Sequence, residues 1–211
     1  LVFAKYPTLD NGKKQYRALK DGIASAGRDP DSVRIAPELK IIVAETESLA
    51  REKRDEIASM SRPIDGLTMM GETLNIDFSG RPYEQPFTDE ELAAMSWQSL
   101  RDKVILVSGK KNPSVRDFVE ASGRGTLNDG PVFCGTGAQV ADQMEEWFKT
   151  ACDGFVLSGT TVPGTYEDIV RLVVPELQKR GLFRKEYAGS TLRENIGLAR
   201  PRAGDWKRSA R

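Results

Sequence analysis

The run Val156-Leu-Ser-Gly-Thr-Thr161 places three hydroxyls, Ser158, Thr160 and Thr161, at the end of a short β-rich segment. In α/β proteins the carboxyl ends of strands face the ligand crevice. Hydroxyls there can hydrogen-bond a bound small molecule, and the same residue types also serve turns and helix caps. Phe3 lies in the first apolar run and could pack on a flat ring or sit in the core as a plain aromatic. Arg124, in Gly123-Arg-Gly125, could reach an anionic substrate or stand as a solvated loop arginine. Gly135-Thr-Gly137 precedes a helical pattern and could receive a phosphate. Thr136 and Gln139, however, have capping-box spacing, which already accounts for that motif.

The chain has no histidine. Ser-His-Asp and Cys-His catalysis within it are therefore excluded, as is any histidine-ligated metal or haem. Acid–base work would fall to Asp, Glu, Lys, Tyr, Cys, water or a cofactor, and the sequence singles out no catalytic residue. Cys134 and Cys152 lie in or beside predicted strands at no metal-binding spacing. They read as small buried hydrophobes of a reducing compartment, with no metal site.

The bulk composition narrows the class further. The 211 residues can form one domain with a real core, and 39% hydrophobic with 29% charged residues is ordinary for a water-soluble protein. Lys+Arg and Asp+Glu both number 31, so no net charge draws the chain to nucleic acid or to a membrane surface. No apolar run approaches the roughly 18 residues of a membrane helix. The opening Leu-Val-Phe-Ala-Lys is too short for a signal-peptide core and reads as mid-strand, which suggests a truncated N-terminus.

The elements that must position these residues alternate. Residues 1–5 read as a strand. Thr8 can cap a helix to about Ala26, with Tyr16, Leu19 and Ile23 inward, and Gly27 stops it. Residues 33–44 are β-rich, with Pro37 suggesting a bulge or an unpaired N–H. Thr46 caps a charged helix over 47–60. From 61 to about 121 the pattern loosens into a long insertion with helices near 64–74, 88–106 and 113–121; Phe78, Tyr83, Phe87 and Trp97 are its apolar anchors. So long a stretch is more often a lid or specificity loop than idle. Val132–Gly135 is β-rich, the Thr136-capped helix buries Val140, Met144 and Trp147/Phe148, and Asp153–Leu157 is a short strand. A last helix turns Ile169, Val170, Val173, Val174 and Leu177 inward and should kink at Pro175. The order predicts an α/β fold with a parallel sheet of about three main strands. Residues 202–211 read as a polar tail.

Several motifs, in order over about residues 1–201, carry a family resemblance. They are Gly135-Thr-Gly-Ala-Gln-Val-Ala-Asp-Gln-Met-Glu-Glu-Trp-Phe148, Asp153-Gly-Phe-Val-Leu157 and Val174-Pro-Glu-Leu-Gln-Lys-Arg-Gly-Leu-Phe-Arg184. Tyr187 to Leu198, Gly27-Arg-Asp-Pro30, Ala50-Arg-Glu-Lys53 and Ile76-Asp-Phe-Ser79 complete the set. The chain resembles the C-terminal part of the flavin-dependent monooxygenases of the bacterial-luciferase superfamily, in the subgroup of nitrilotriacetate monooxygenase component A and dibenzothiophene-sulfone monooxygenase.

The resemblance implies part of a (β/α)₈ TIM barrel of the luciferase-like type, spanning 1–201 and interrupted at about 61–121. The chain would supply the sixth, seventh and eighth strands, with the insertion between the last two. It implies reduced FMN, supplied by a separate flavin reductase, and O₂ used to oxygenate a small organic substrate, nitrilotriacetate-like or organosulfur. The cofactor carries the chemistry, and the protein positions it and excludes water. On this footing Phe3, Val156 and Ser158 are cofactor-binding candidates, and Thr160, Thr161 and Arg124 substrate-binding candidates. The group often carries histidine in the loop after the last strand, where Thr161 stands here. A homo-oligomer in the cytoplasm is expected, with no nucleic-acid or membrane partner. The other reading is a non-catalytic truncated remnant or subunit that pairs with another chain through open strand edges.

Overall fold

The computed structural model describes residues 1–200 and Gly204, so the expected polar tail at 202–211, Gly204 apart, lies outside the described residues. The chain divides into two compact units. One comprises Leu1–Ala50 with the chain from Phe133 onward, and the other is Arg51–Val132.

The first unit is built on a parallel sheet of β1 (Val2–Ala4), β2 (Ile35–Val43), β3 (Val132–Gly135) and β4 (Val156–Ser158). The strand count of about three is corrected to four, because Val132–Gly135 pairs as a strand of its own. The insertion accordingly lies between the second and third strands rather than between the last two. β2 is the shared strand. It runs parallel to β1 with Val2, Phe3 and Ala4 beside Ile35, Ala36 and Pro37, and parallel to β4 with Glu38, Leu39 and Lys40 beside Val156, Leu157 and Ser158. β3 flanks it, and the Ala44 N–H donates to the Gly135 carbonyl at 3.2 Å.

Strand side chains alternate between faces. Ile35, Leu39, Ile41 and Val43 enter the core with Tyr6, Phe133, Val140, Trp147 and Val173, and Phe155 and Leu157 pack on it. Such near-continuous burial of a β-branched run is what parallel strands require. Each fully buried aliphatic chain there stabilises the fold by about 1.5–3 kcal/mol.

Helix α1 (Leu9–Ser25) starts where the Thr8 hydroxyl accepts the Asn11 N–H at 3.2 Å, and Gly27 follows it at φ +72°. Its burial is slighter than its periodicity predicts. Gly12 is buried, Tyr16 packs on the core, and Leu19 is 40% exposed. α7 (Gly137–Thr150) carries the expected capping box, with Gln139 N–H to Thr136 Oγ1 at 3.3 Å and Thr136 N–H to Gln139 Oε1 at 2.9 Å. Val140, Met144 and Trp147 are buried, whereas Phe148 is left exposed. A Cβ on Gly137 would stand 2.0 Å from the Leu172 carbonyl oxygen, so this helix start needs glycine for close packing.

After β4, α8 (Gly164–Asp168) widens into a π-helical turn at Ile169–Val173 before α9 (Val174–Lys179). Pro175 has no N–H to donate, and the wider turn takes up the missing bond. Ile169, Val173 and Leu177, four residues apart, are buried, and Val170, expected inward, is 64% exposed.

The second unit is helical: α3 (Pro63–Leu74), α4 (Asp89–Ala94), α5 (Gln98–Ser108) and α6 (Val115–Ser122), with α2 (Glu47–Ser59) leading into it. It is wider than the 61–121 segment, and the single helix expected over 88–106 is two. Ser96 breaks it by turning its N–H to the Leu74 carbonyl at 3.4 Å and its hydroxyl to the Thr73 carbonyl at 2.7 Å. Met70, Leu74, Phe87, Leu92, Val104, Val115 and Phe118 form its own core, with Phe78, Tyr83 and Trp97 packed against it.

Candidate functional site

The face of the sheet turned away from the core holds most of the candidate residues. Because Ala4, Leu39, Phe155 and Leu157 point to the core, alternation turns Phe3, Lys5, Glu38, Lys40, Val156 and Ser158 to the opposite face. Direct contacts bear this out. Ser158 Oγ donates to Glu38 Oε1 at 2.7 Å, and Lys5 Nζ lies 3.4 Å from Glu38 Oε2. Lys40 stands in register beside Ser158. Phe3 is 73% exposed there, an aromatic presented outward rather than spent on packing. The parallel register thus joins residues from three strands into one row: a ring, two ammonium groups, a carboxylate and a hydroxyl.

The cofactor-binding candidates Phe3, Val156 and Ser158 all fall on this face. Thr160 and Thr161 lie in the following loop and turn inward upon it. Their backbone N–H groups donate to the buried Thr165 Oγ1 at 3.1 and 2.9 Å, and their hydroxyls stand 3.1 and 3.2 Å from the same oxygen. Thr165 therefore fixes the loop that leaves β4. Arg124 belongs to the second unit. Its guanidinium lies over the Trp97 ring at 5.0 Å, pairs with Asp129 at 3.0 Å and reaches Thr73 Oγ1 at 3.4 Å. It is a packed arginine with only 16% of its side chain exposed, not a solvated one.

Sequence reasoning missed Lys5, Glu38 and Lys40. The signal was two charges, 38 and 40, two apart inside an otherwise apolar strand, a pattern that a wholly buried strand would not tolerate.

The carboxyl end of β2 is fixed separately. Glu45 pairs with Arg171 of the π turn, and Arg171 also donates to Asp168 at 3.0 Å. The hydrogen bond from Arg171 holds the Glu45 carboxyl below its ordinary range. At the opposite end of the strands Asp153 accepts from the Tyr16 hydroxyl at 2.9 Å and from the Ile35 N–H at 2.9 Å. Lys20 Nζ lies 3.0 Å from it. Burial, then the hydrogen bond to Asp153, raises the Tyr16 hydroxyl pKa. Cys152 beside it is pushed up to about 12 by burial. Among the described residues no group of His, Cys, Asp and Glu is placed to hold a metal, and no helix is long and apolar enough to cross a membrane.

Comparison with known proteins relates the chain to one set of enzymes. It is 36% identical over 208 residues to nitrilotriacetate monooxygenase component A of Aminobacter aminovorans, a match spanning 96% of this chain and 45% of that protein. It is 32% identical over 203 residues to the dibenzothiophene-sulfone monooxygenase of Rhodococcus erythropolis, covering 95% and 45%. The crystal structure of DmoA from Hyphomicrobium sulfonivorans superposes with a TM-score of 0.68 at 30% identity, over 92% of this chain and 40% of that one. A riboflavin lyase crystallised with modified FMN and riboflavin shares the fold, with a TM-score of 0.71 at 24% identity. No family model matches the chain. The chain spans about half the length of the curated relatives it matches.

Proposed function

We propose that the chain is the C-terminal part of a luciferase-like, FMN-dependent monooxygenase. On this reading it contributes β1 to β4 to a (β/α)₈ barrel whose interior is lined by the Phe3–Ser158 face. The relation to the monooxygenases named above supports the reaction class. The observation that carries the site is the outward-facing Phe3 on the same sheet face as the Ser158 hydroxyl.

These residues fit one side of a flavin. Phe3 offers an exposed aromatic face for stacking, Val156 an apolar floor, and Ser158 a hydroxyl whose orientation Glu38 fixes. Reduced FMN, delivered by a separate flavin reductase, supplies the reaction of O₂ with a small organic substrate. The chain's own part is to hold the ring against β1 and β4 and to keep water from that face. The Thr160–Thr165 turn closes the end of β4, and Glu45, Arg171 and Asp168 brace the end of β2. The substrate is nitrilotriacetate-like or organosulfur, and the enzyme works in the cytoplasm as a homo-oligomer.

An anaerobic calorimetric titration with reduced FMN tests this. Binding by the chain, weakened by Phe3→Ala and by Ser158→Ala by about 0.5–1.5 kcal/mol for the lost hydroxyl contact, supports it. Absence of binding, or variants that bind like the parent, contradicts it. The second reading, a non-catalytic partner subunit, draws on the exposure of Val2 and Phe3 on β1. Monooxygenase turnover by the 211-residue chain alone, given reductase, NADH and O₂, would sink that reading.

A further inference from the structure

We propose that Glu38 is a positioning residue that makes Ser158 a hydrogen-bond acceptor, so that this end of the sheet face takes hold of the N–H that a flavin ring gains on reduction. This role rests on the proposed function, because it needs the Phe3–Ser158 face to lie against the flavin. A serine hydroxyl carries one proton and two lone pairs, and a carboxylate can only accept. Ser158 Oγ stands 2.7 Å from Glu38 Oε1, so the single proton of Ser158 points at Glu38. No donor to Ser158 Oγ stands among the described residues. What the hydroxyl has left for a ligand is its lone pairs.

Neighbouring groups hold this arrangement. Register sets Val156 beside Glu38 and Ser158 beside Lys40, so Glu38 is the diagonal neighbour of Ser158 across the β2–β4 pair. Lys5 Nζ approaches the other carboxylate oxygen at 3.4 Å, which leaves Oε1 to the hydroxyl. The Tyr166 hydroxyl donates to the Leu157 carbonyl at 3.3 Å, and Thr165 Oγ1 accepts from the Thr160 and Thr161 N–H groups, so the backbone is tied on both sides of Ser158. In oxidised flavin the ring nitrogen N5 is an acceptor. Two-electron reduction places a proton on it and makes it a donor. An acceptor-only hydroxyl bonds the reduced ring and meets a lone pair on the oxidised one. One charge-assisted hydrogen bond of this kind is worth about tenfold in affinity. Ser158 thereby reads the redox state of the ring, and Glu38 acts through it.

Anaerobic calorimetry of the full 211-residue chain with reduced and with oxidised FMN reads the preference, and the midpoint potential of the bound flavin reads it a second way. Ser158→Ala lowers the affinity for reduced FMN about tenfold and leaves that for oxidised FMN unchanged, so the two-electron potential falls by about 30 mV. Glu38→Met keeps the length of the side chain and removes the acceptor. The hydroxyl is then free to donate, and adding Ser158→Ala to Glu38→Met no longer lowers the reduced-to-oxidised ratio. The charge at position 38 is the same within each pair of proteins compared, so its direct effect on the flavin cancels in the cycle. Circular dichroism of each variant distinguishes loss of binding from loss of fold. Ser158→Val or Glu38→Leu replaces a variant that unfolds.

Three outcomes overturn this role while leaving the flavin reading in place: equal affinity for reduced and oxidised FMN, a Ser158→Ala loss that is the same for both forms, which would assign the hydroxyl to an atom the two forms share, or a Ser158→Ala effect that is the same with Glu38 and with Met at position 38. Binding of neither form by the chain overturns the flavin reading and this role with it.

Discussion

Ser158 Oγ donates to Glu38 Oε1 at 2.7 Å across 120 residues of chain, and Lys5 approaches the other oxygen of the same carboxylate at 3.4 Å. This bond exists because β4 adds to β2 in a register that sets Ser158 beside Lys40, one pleat from Glu38. It ties the hydroxyl-rich end of the last strand to the middle of the central one. A slip of β4 by one residue would turn its own Val156 and Ser158 to the core face and leave Glu38 without the hydroxyl.

The Asp153 cluster is the anchor at the other end of the strands. Asp153→Ala removes the acceptor of Tyr16, the Ile35 N–H and Lys20, whose side chain is only 12% exposed. Breaking a buried charged pair costs about 3–5 kcal/mol. Urea denaturation of the variant should show a loss of this order, and Tyr16→Phe, which removes one hydrogen bond, should lose about 1 kcal/mol.

Gly137→Ala tests helix packing. Its Cβ would stand 2.0 Å from the Leu172 carbonyl oxygen, a backbone atom, so α7 and the π turn must separate. Overpacking of this kind costs about 1–3 kcal/mol. Gly154→Ala, with nothing within 4 Å of the added carbon, is the control and should leave the thermal midpoint nearly unchanged.

Acid should weaken the second unit through Glu91. Hydrogen bonds from Arg81, then from the Thr88 backbone, hold its carboxyl down from 4.5 to about 2. A depressed folded-state pKa contributes stability that is fully present above the unfolded value and is lost as pH falls through the folded one. The contribution therefore disappears between about pH 4.5 and about pH 2. Glu91→Gln should flatten the pH dependence of unfolding across that window, as read by circular dichroism of helices.

The two thiols should differ in reactivity. Cys152 is 2% exposed and burial pushes it up to about 12, while Cys134 is part-exposed, with Sγ 3.4 Å from the Ala50 carbonyl oxygen. Thiolate is the reactive form. Iodoacetamide on the native chain at neutral pH should label Cys134 first and leave Cys152 intact until denaturant is added.

Local signals in the sequence carried the helix starts well. The Thr136–Gln139 capping box, the Thr8 cap and the Gly27 stop each involve residues within a few positions of one another, and the structure has all three. Longer-range arrangements were harder to see. The Ser96 break depends on carbonyls at 73 and 74 that only tertiary structure brings near, so one helix was expected where two form. The π turn at Ile169–Val173 precedes Pro175, and Val170 within it is exposed where an inward position was expected. For the candidate site, Phe3, Val156 and Ser158 were visible as strand-end residues. Glu38 and its lysines acquire meaning only from the pairing of β1, β2 and β4, which no single stretch of sequence encodes.

On the proposed function the Phe3–Ser158 face contacts reduced flavin. Anaerobic hydrogen–deuterium exchange of the chain with and without reduced FMN tests it most directly. Contact with the flavin should slow exchange in peptides covering Val2–Ala4 and Val156–Ser158 and leave α5 unchanged. No change in those two strands at saturating reduced FMN, or protection confined to other segments, would contradict it.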